Sequence, residues 1–148
     1  MKLGIFIALM LIANNALACE KVIRIIDGDT IETNKTGKVR ILGIDAFDKM
    51  PLRVAKQSKR TGFSKKDILH LNTMGTAFAL EMLNGKCITL QSDYKDTEIY
   101  GRKLRYVIVD GVDYSLSAIQ QGLVMPYCED KKIRNFQKYN EASHWECK

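Results

Sequence analysis

Short runs of apolar and β-branched residues, separated by turn residues, open the part of the chain that follows residue 20. The first run, Lys21 to Ile26, ends at Asp27-Gly28, a common turn pair. Thr30 to Thr33 follows as a return strand, and Lys38 to Ile44 follows a second polar turn as a third strand. Because each turn is short, the three strands are predicted to form an antiparallel meander.

A helical pattern begins further along the chain, at Ser64. The sequence from Ser64 to Asp67 resembles a capping box, and Gly85 is a natural helix stop. Between them, apolar residues recur at helical spacing. These residues are Ile68, Leu71, Met74, Phe78 and Met82. We therefore predict one long amphipathic helix in the middle of the chain.

The remaining elements follow this helix. Two further strands are predicted over Cys87 to Ser92 and Arg102 to Val109, a short helix over Leu116 to Gln121, and a last helix from about Glu129 to Trp145. The order is a meander, then a helix, then more strands. The predicted fold class is therefore α+β, mainly β: a five-stranded barrel of the OB type with about three flanking helices.

Residues 1–18 have the pattern of an export signal. Met1-Lys2 supplies a positive start, Leu3 to Ala13 is apolar, and Ala16-Leu17-Ala18 provides small residues for signal peptidase. The apolar run is shorter than the roughly 20 residues that span a bilayer, so no membrane span is predicted. We expect a signal peptide over 1–18 and one domain over 19–148, located in the periplasm or secreted.

The charge of the chain favours an anionic partner. The formal net charge is +6, and the stretch from Lys49 to Lys66 contains many basic residues and no acidic one. Nucleic acid, anionic lipid and acidic glycans all fit a basic domain. The basic stretch is interpreted either as a solvated loop or as an arm that lies near a phosphate backbone.

Cys19, Cys87, Cys128 and Cys147 are the four cysteines of the chain. An even number in an exported domain predicts two disulfides, with three possible pairings. The alternative for Cys19 is a lipid-anchored N-terminus, because it directly follows Ala18; this would leave one other cysteine unpaired. A zinc site is not expected, since the chain has no C-x-x-C motif and only two histidines.

Carboxylates stand where the predicted strands end. Asp27 and Asp29 flank the glycine of the first turn, and Asp45 and Asp48 follow the third strand. Oxygen ligands without histidine or thiolate favour Ca²⁺, Mg²⁺ or Mn²⁺. The alternative is that Asp-Gly serves only as turn chemistry.

Two arginines accompany these carboxylates in the sequence. Arg40 precedes Asp45 by five residues, and Arg102 follows Tyr100-Gly101. Arginines beside an oxygen-bound cation suit phosphoryl transfer, because both stabilise charge on phosphate oxygens. Each arginine alone would be interpreted as an ordinary surface residue.

Together these motifs resemble the thermonuclease family, whose members are also called staphylococcal nuclease-like. The similarity lies in Asp27-Gly28-Asp29-Thr30-Ile31, Arg40-Ile41-Leu42-Gly43-Ile44-Asp45 and Tyr100-Gly101-Arg102, with Gln121-Gly122-Leu123 also fitting. It extends over nearly all of residues 20–146. The resemblance implies an OB-type barrel, one Ca²⁺ as cofactor, and hydrolysis of DNA and RNA that leaves 3′-phosphates.

The resemblance also implies a role for individual residues. Asp29, Asp45 and the backbone carbonyl of Ala46 correspond to the metal ligands, and Arg40 and Arg102 to a clamp on the phosphate. Tyr100 and Tyr127 correspond to tyrosines that line the nucleotide pocket. Asp48 occupies the position of the carboxylate that activates or orients the attacking water. The full set of candidate site residues is Asp29, Arg40, Asp45, Ala46, Asp48, Tyr100, Arg102 and Tyr127.

The chain departs from the family pattern at several of these positions. Phe47-Asp48 replaces the usual Pro-Glu, so the carboxylate is one methylene shorter, and Ile99 replaces a basic residue. In the family's barrel the first strand lies beside the fourth, which implies a disulfide between Cys19 and Cys87. We pair Cys128 with Cys147, because they flank the last predicted helix.

Two hypotheses for function follow from the sequence. The first is an exported, Ca²⁺-dependent nuclease that acts on DNA, RNA or both as a monomer. The second is an OB-fold protein of the cell envelope that binds nucleic acid and has lost hydrolysis. The carboxylate at Asp48 and the two arginines favour the enzyme, since most of the apparatus for phosphoryl transfer is present.

Overall fold

The computed structural model of the protein describes residues 19–148. The predicted signal peptide, residues 1–18, lies outside this part of the chain. The strands are β1 (Glu20–Asp27), β2 (Thr30–Thr33), β3 (Gly37–Ile41), β4 (Ile44–Ala46), β5 (Cys87–Gln91), β6 (Lys103–Val109), β7 (Val112–Asp113) and β8 (Val124–Pro126). The helices are α1 (Pro51–Thr61), α2 (Lys65–Leu83), α3 (Tyr114–Gln120) and α4 (Phe136–Glu141).

Five of the strands close into a mixed barrel, which confirms the predicted OB-type architecture. Strands β1, β2 and β3 form the antiparallel meander, and β5 lies antiparallel to both β1 and β6. The barrel closes where β3 runs parallel to β6, with Val39 opposite Lys103 and Ile41 opposite Arg105. Closure removes the exposed edges that an open sheet would present.

The core of the barrel is formed by alternate residues of the strands. Val22, Ile31, Val39 and Ile41 point inward and are fully buried. Helix α2 covers part of this core with side chains that include Phe78, Ala79 and Leu83. Its N-terminus is the predicted capping box: Ser64 Oγ accepts the Asp67 amide N–H, and the Asp67 carboxylate accepts the Ser64 amide N–H.

The third strand is shorter than the sequence pattern predicted. It ends at Ile41, and the chain turns at Gly43, which has a φ of +81°. A side chain at Gly43 would also collide with the ring of Tyr139. Beyond this turn, Ile44 begins the separate strand β4, which pairs with β8. The predicted strand over 38–44 therefore joined two elements that belong to different sheets.

The basic stretch from Lys49 to Lys66 contains a helix, which neither interpretation of the sequence anticipated. Helix α1 begins at Pro51, where the missing backbone N–H costs nothing, and it is capped after Thr61 by Gly62, which has a φ of +80°. It buries Val54 and Gln57. The part of the chain that the structure describes has four helices, and the last, α4, is much shorter than the predicted helix over 129–145.

Two disulfides are present, as the cysteine count predicted. Cys19 is joined to Cys87 with a Cα–Cα distance of 5.5 Å, and Cys128 to Cys147 with a distance of 5.4 Å. This is the predicted pairing. The first bond fastens the beginning of β1 to the beginning of β5, and the second fastens the segment after β8 to the segment after α4. No cysteine from residue 19 onward is free.

Among residues 19–148, no helix has both the length and the apolar character that crossing a bilayer requires.

Candidate functional site

One cleft of about 1440 Å³ lies between the barrel, the start of helix α1 and helix α2. Its lining comes from the turns and strands that carry the motifs, from the start of α1, from one face of α2 and from the segment after β8. All the candidate residues predicted from the sequence line it: Asp29, Arg40, Asp45, Ala46, Asp48, Tyr100, Arg102 and Tyr127. The fold therefore brings together in one place residues that are up to 98 positions apart.

Asp29 is the most firmly held carboxylate of the cleft. Its Oδ1 accepts the Thr30 hydroxyl at 2.7 Å, and its Oδ2 accepts the Ala46 amide N–H at 2.7 Å. Arg40 Nη2 lies 3.2 Å from the same Oδ2. Burial by itself would raise the pKa of Asp29, but the Arg40 charge and the two hydrogen bonds outweigh it and lower that pKa. Asp29 is therefore ionised and fixed in orientation.

Two more carboxylates lie beside Asp29. The Asp45 Oδ1 atom is 3.8 Å from Arg40 Nη2, so Asp29 and Asp45 share one guanidinium nitrogen. Burial and the Asp29 charge raise the pKa of Asp45. The same two causes raise the pKa of Asp27 to about 6. The site thus concentrates more negative charge than Arg40 alone neutralises.

The donor set fits a hard divalent cation that is held partly by water. Asp29 and Asp45 each supply a carboxylate oxygen within 3.8 Å of one Arg40 nitrogen, and no histidine or thiolate lines the cleft near them. The Ala46 carbonyl accepts Gln57 Nε2 at 2.9 Å and has one further lone pair. The described residues contain no group of three or more side chains arranged as metal ligands. Ca²⁺ takes six to eight oxygens, so two carboxylates and a carbonyl leave several positions for water or substrate.

Arg102 also lines the cleft and is held by Glu98. Its Nε and Nη2 atoms donate to the two Glu98 oxygens at 3.1 and 3.2 Å, a bidentate pair. Its Nη1 donates to the Thr30 hydroxyl at 3.2 Å. Since Thr30 donates in turn to Asp29, a short hydrogen-bonded chain links Arg102 to the carboxylates.

Both carboxylate oxygens of Asp48 have partners within the protein. Its Oδ1 accepts the Met50 amide N–H at 2.8 Å, just before helix α1, and its Oδ2 lies 2.6 Å from Arg53 Nε. The sequence resemblance placed a water-activating carboxylate here. In the structure, this carboxylate also holds the beginning of α1 against the site.

Arg53 and Gln57 hold site residues in place, although neither was among the site residues predicted from the sequence. Arg53 Nη2 donates to Asp45 Oδ1 at 2.8 Å, so the guanidinium joins Asp45 to Asp48. Gln57 accepts the Asp48 amide N–H at 2.9 Å while it donates to the Ala46 carbonyl. Their spacing of four residues puts them on one helix face, but no helix was predicted there. Pro51 and Gly62, which start and stop α1, were the signals that could have revealed it.

The two tyrosines occupy different positions at the cleft. Tyr100 is 78% exposed at the rim, with the Arg102 guanidinium 5.9 Å from its ring centroid. Tyr127 is half-buried; its hydroxyl donates to Glu129 Oε2 at 3.0 Å, and the Arg40 guanidinium lies 5.7 Å from its ring centroid. Each tyrosine therefore lies beside one of the two predicted clamp arginines.

Comparison with known proteins adds little to this geometry. No model of a known protein family matches the chain. An uncharacterized protein of Bacillus anthracis is 32% identical over 96 residues, which is 62% of this chain. The chain spans about 39% of that protein's length.

Proposed function

We propose that this protein is an exported, Ca²⁺-dependent nuclease of the thermonuclease type. The observation that carries the proposal is the convergence of Asp29, Asp45, Arg40 and Arg102 in one cleft. Carboxylates for a hard cation beside two guanidinium groups form a set suited to a phosphodiester, which is anionic and becomes more so as it reacts. The positive net charge of the chain favours the same partner.

The arginines would act on the phosphate group itself. Arg40, held by two carboxylates, would direct its free N–H groups toward one phosphate oxygen, and Arg102 would contact another. Arg102 would have to exchange part of its Glu98 contact for the phosphate. Bound Ca²⁺ would supply Lewis-acid stabilisation of the developing negative charge.

The bond change that we propose is hydrolysis with the 5′-oxygen as leaving group. A water oxygen attacks phosphorus, the bond between phosphorus and O5′ breaks, and the products are a 3′-phosphate and a 5′-hydroxyl. Asp48 would accept a hydrogen bond or a proton from that water. Tyr100 and Tyr127 would contact the nucleotide on either side of the phosphate, and DNA and RNA are both proposed substrates.

Export is part of the proposal. Two disulfides are typical of proteins that fold in an oxidising compartment, and the pattern of residues 1–18 fits a signal peptide. We propose that the protein acts as a monomer in the periplasm or outside the cell.

A second candidate function is binding of nucleic acid without hydrolysis. It is favoured by the contacts of Asp48, whose two oxygens are engaged by Met50 and Arg53, and by the bidentate pair between Arg102 and Glu98. A protein in which both pairs persist would hold a phosphate backbone without activating water.

A cleavage assay separates the two candidates. The purified protein would be incubated with plasmid DNA and with RNA, first with Ca²⁺ and then with EGTA, and the product ends would be analysed. We expect cleavage with Ca²⁺, its loss with EGTA, and 3′-phosphate ends. Binding of both nucleic acids without cleavage under any of these conditions would establish the second candidate instead.

A further inference from the structure

Arg53 occupies a distinctive position, between a candidate metal ligand and the candidate base. It projects from the first turn of α1, and its guanidinium spans from Asp45 Oδ1, at 2.8 Å, to Asp48 Oδ2, at 2.6 Å. Arg40 is 3.8 Å from the same Asp45 oxygen and closer to Asp29. Arg53 is therefore the nearer positive charge on Asp45.

We propose that Arg53 is a built-in counter-cation, which occupies Asp45 in the Ca²⁺-free protein and must leave it when Ca²⁺ binds. This inference rests on the proposed function, because it assumes that Asp45 is a ligand. It assigns Arg53 a positioning role that concerns the affinity for the cation, and not a contact with the reacting phosphate.

The need for a counter-cation follows from the crowding of carboxylates. Asp29 and Asp45 share one Arg40 nitrogen, and the Asp45 side chain is largely buried. Two negative charges in such a place repel each other strongly unless further positive charge is near. Arg53 supplies that charge. A divalent cation on the same Asp45 oxygen would lie within a few ångströms of the guanidinium, so the two positive groups compete for it.

The structure also shows why Arg53, rather than Arg40, would be the group that moves. The Arg53 side chain is 52% exposed, whereas the Arg40 side chain is 13% exposed and anchored by a hydrogen bond from Nη1 to the Ile41 carbonyl. Half-exposed ion pairs are weak and exchange partners readily. Arg53 can release Asp45 while keeping Asp48, so only one of its two contacts has to break.

Two measurable consequences follow from this competition. Removal of the Arg53 charge should tighten Ca²⁺ binding, because the ion no longer displaces a bound guanidinium. It should also destabilise the Ca²⁺-free protein, because Asp45 loses its nearer partner. By linkage, added Ca²⁺ should then raise the melting temperature of the variant more than that of the wild type.

The experiment is calorimetric titration of the purified, disulfide-bonded protein with CaCl₂ alone, together with melting curves at zero and saturating Ca²⁺. Arg53→Gln removes the charge, Arg53→Lys retains it, and Lys56→Gln is the matched control. Lys56 is on the same helix and pairs with Glu129, away from Asp45 and Asp48. We expect Arg53→Gln to bind Ca²⁺ about tenfold more tightly, and the other two variants to stay within about threefold of the wild type.

The outcomes separate this inference from the function on which it rests. Tighter binding in Arg53→Gln with a larger Ca²⁺-induced rise in melting temperature supports the inference; a merely structural defect would weaken binding. Measurable Ca²⁺ binding that is unchanged or weaker in Arg53→Gln overturns the inference and leaves the proposed function intact. Absence of Ca²⁺ binding in every variant overturns the Ca²⁺-dependent function and this inference with it.

Discussion

The two walls of the cleft are built in different ways. On the barrel side, Asp29 lies in the turn before β2 and Arg40 lies on β3. Both are largely buried and are fixed by hydrogen bonds to backbone and hydroxyl groups. On the helix side, Asp48 and Arg53 are more exposed and hold each other through an ion pair at the start of α1. Both walls pair carboxylate with guanidinium, but only one of them is surrounded by the core.

This difference matters because burial changes the consequence of losing a partner. A buried charge left alone costs several kcal/mol, whereas an exposed ion pair contributes little. The barrel wall, which contains Asp29 and Arg40, is therefore suited to holding its side chains in fixed positions. The helix wall, which contains Asp48 and Arg53, is suited to exchanging ion-pair partners during binding and reaction. Four substitutions, taken from the largest expected effect to the smallest, test this contrast.

Arg40→Ala should have the largest effect. It removes a proposed phosphate contact and leaves Asp29 and Asp45 without their shared partner, so we expect nuclease activity to fall roughly 10²- to 10³-fold. The free energy of unfolding should fall by about 3 kcal/mol. Cleavage kinetics and urea denaturation measure the two effects. Lys38→Ala, an exposed change on the same strand, should alter neither, and normal activity in Arg40→Ala would exclude this arginine from catalysis.

Arg102→Ala should lower nuclease activity nearly as much as Arg40→Ala does, but it should change the free energy of unfolding only slightly. Its loss removes the second proposed phosphate contact, with an expected rate decrease of roughly 10²-fold at saturating Ca²⁺. Its ion pair with Glu98 is local and spans only four residues, so unfolding should change little. Rate assays and thermal melting test this pair of statements. A stability loss as large as that of Arg40→Ala would contradict the expectation that only Arg40 matters for stability.

Asp48 tests the helix wall directly. We expect Asp48→Ala to lower the rate at least about tenfold, and Asp48→Glu to keep or raise it, because the longer carboxylate reaches further into the cleft. Asp48→Asn is the matched control: it preserves an acceptor for the Met50 amide and removes only the charge. Equal rates for Asp48→Ala and the wild type would mean that another group activates the water.

Gln57→Leu should have the smallest effect on activity. The substitution removes the buried amide that connects α1 to Ala46 and Asp48, and leaves their backbone groups without that partner. We expect the unfolding free energy to fall by about 2 kcal/mol and the rate to fall only several-fold, because the side chain touches no proposed substrate. Gln57→Glu, which keeps the acceptor for the Asp48 amide, should be intermediate. An activity loss as large as that of Arg102→Ala would move Gln57 into the catalytic group.

The sequence anticipated those parts of the fold that depend on local pattern. Strands β1 and β2, the long helix α2 and its capping box were all predicted, since alternation, helical spacing and capping residues act over a few positions. The same locality explains the errors. Helix α1 was not predicted because its sequence has no obvious apolar stripe. The residues that it buries are Val54 and Gln57. Strand β4 has only three residues, so its local sequence does not separate it from β3. Its pairing with β8 in the tertiary structure defines it as a separate strand.

For the candidate site, too, the local sequence determined one part and the tertiary structure the other. The sequence determined which chemical groups exist: carboxylates at turns, arginines near them, and cysteines in even number. Only the tertiary structure decided which groups meet. The parallel pairing of β3 with β6 brings Arg102 to the end of the barrel that carries Asp29, and the packing of α1 brings Arg53 to Asp45 and Asp48. Such contacts form between distant parts of the chain through burial and barrel closure, and local sequence periodicity does not predict them.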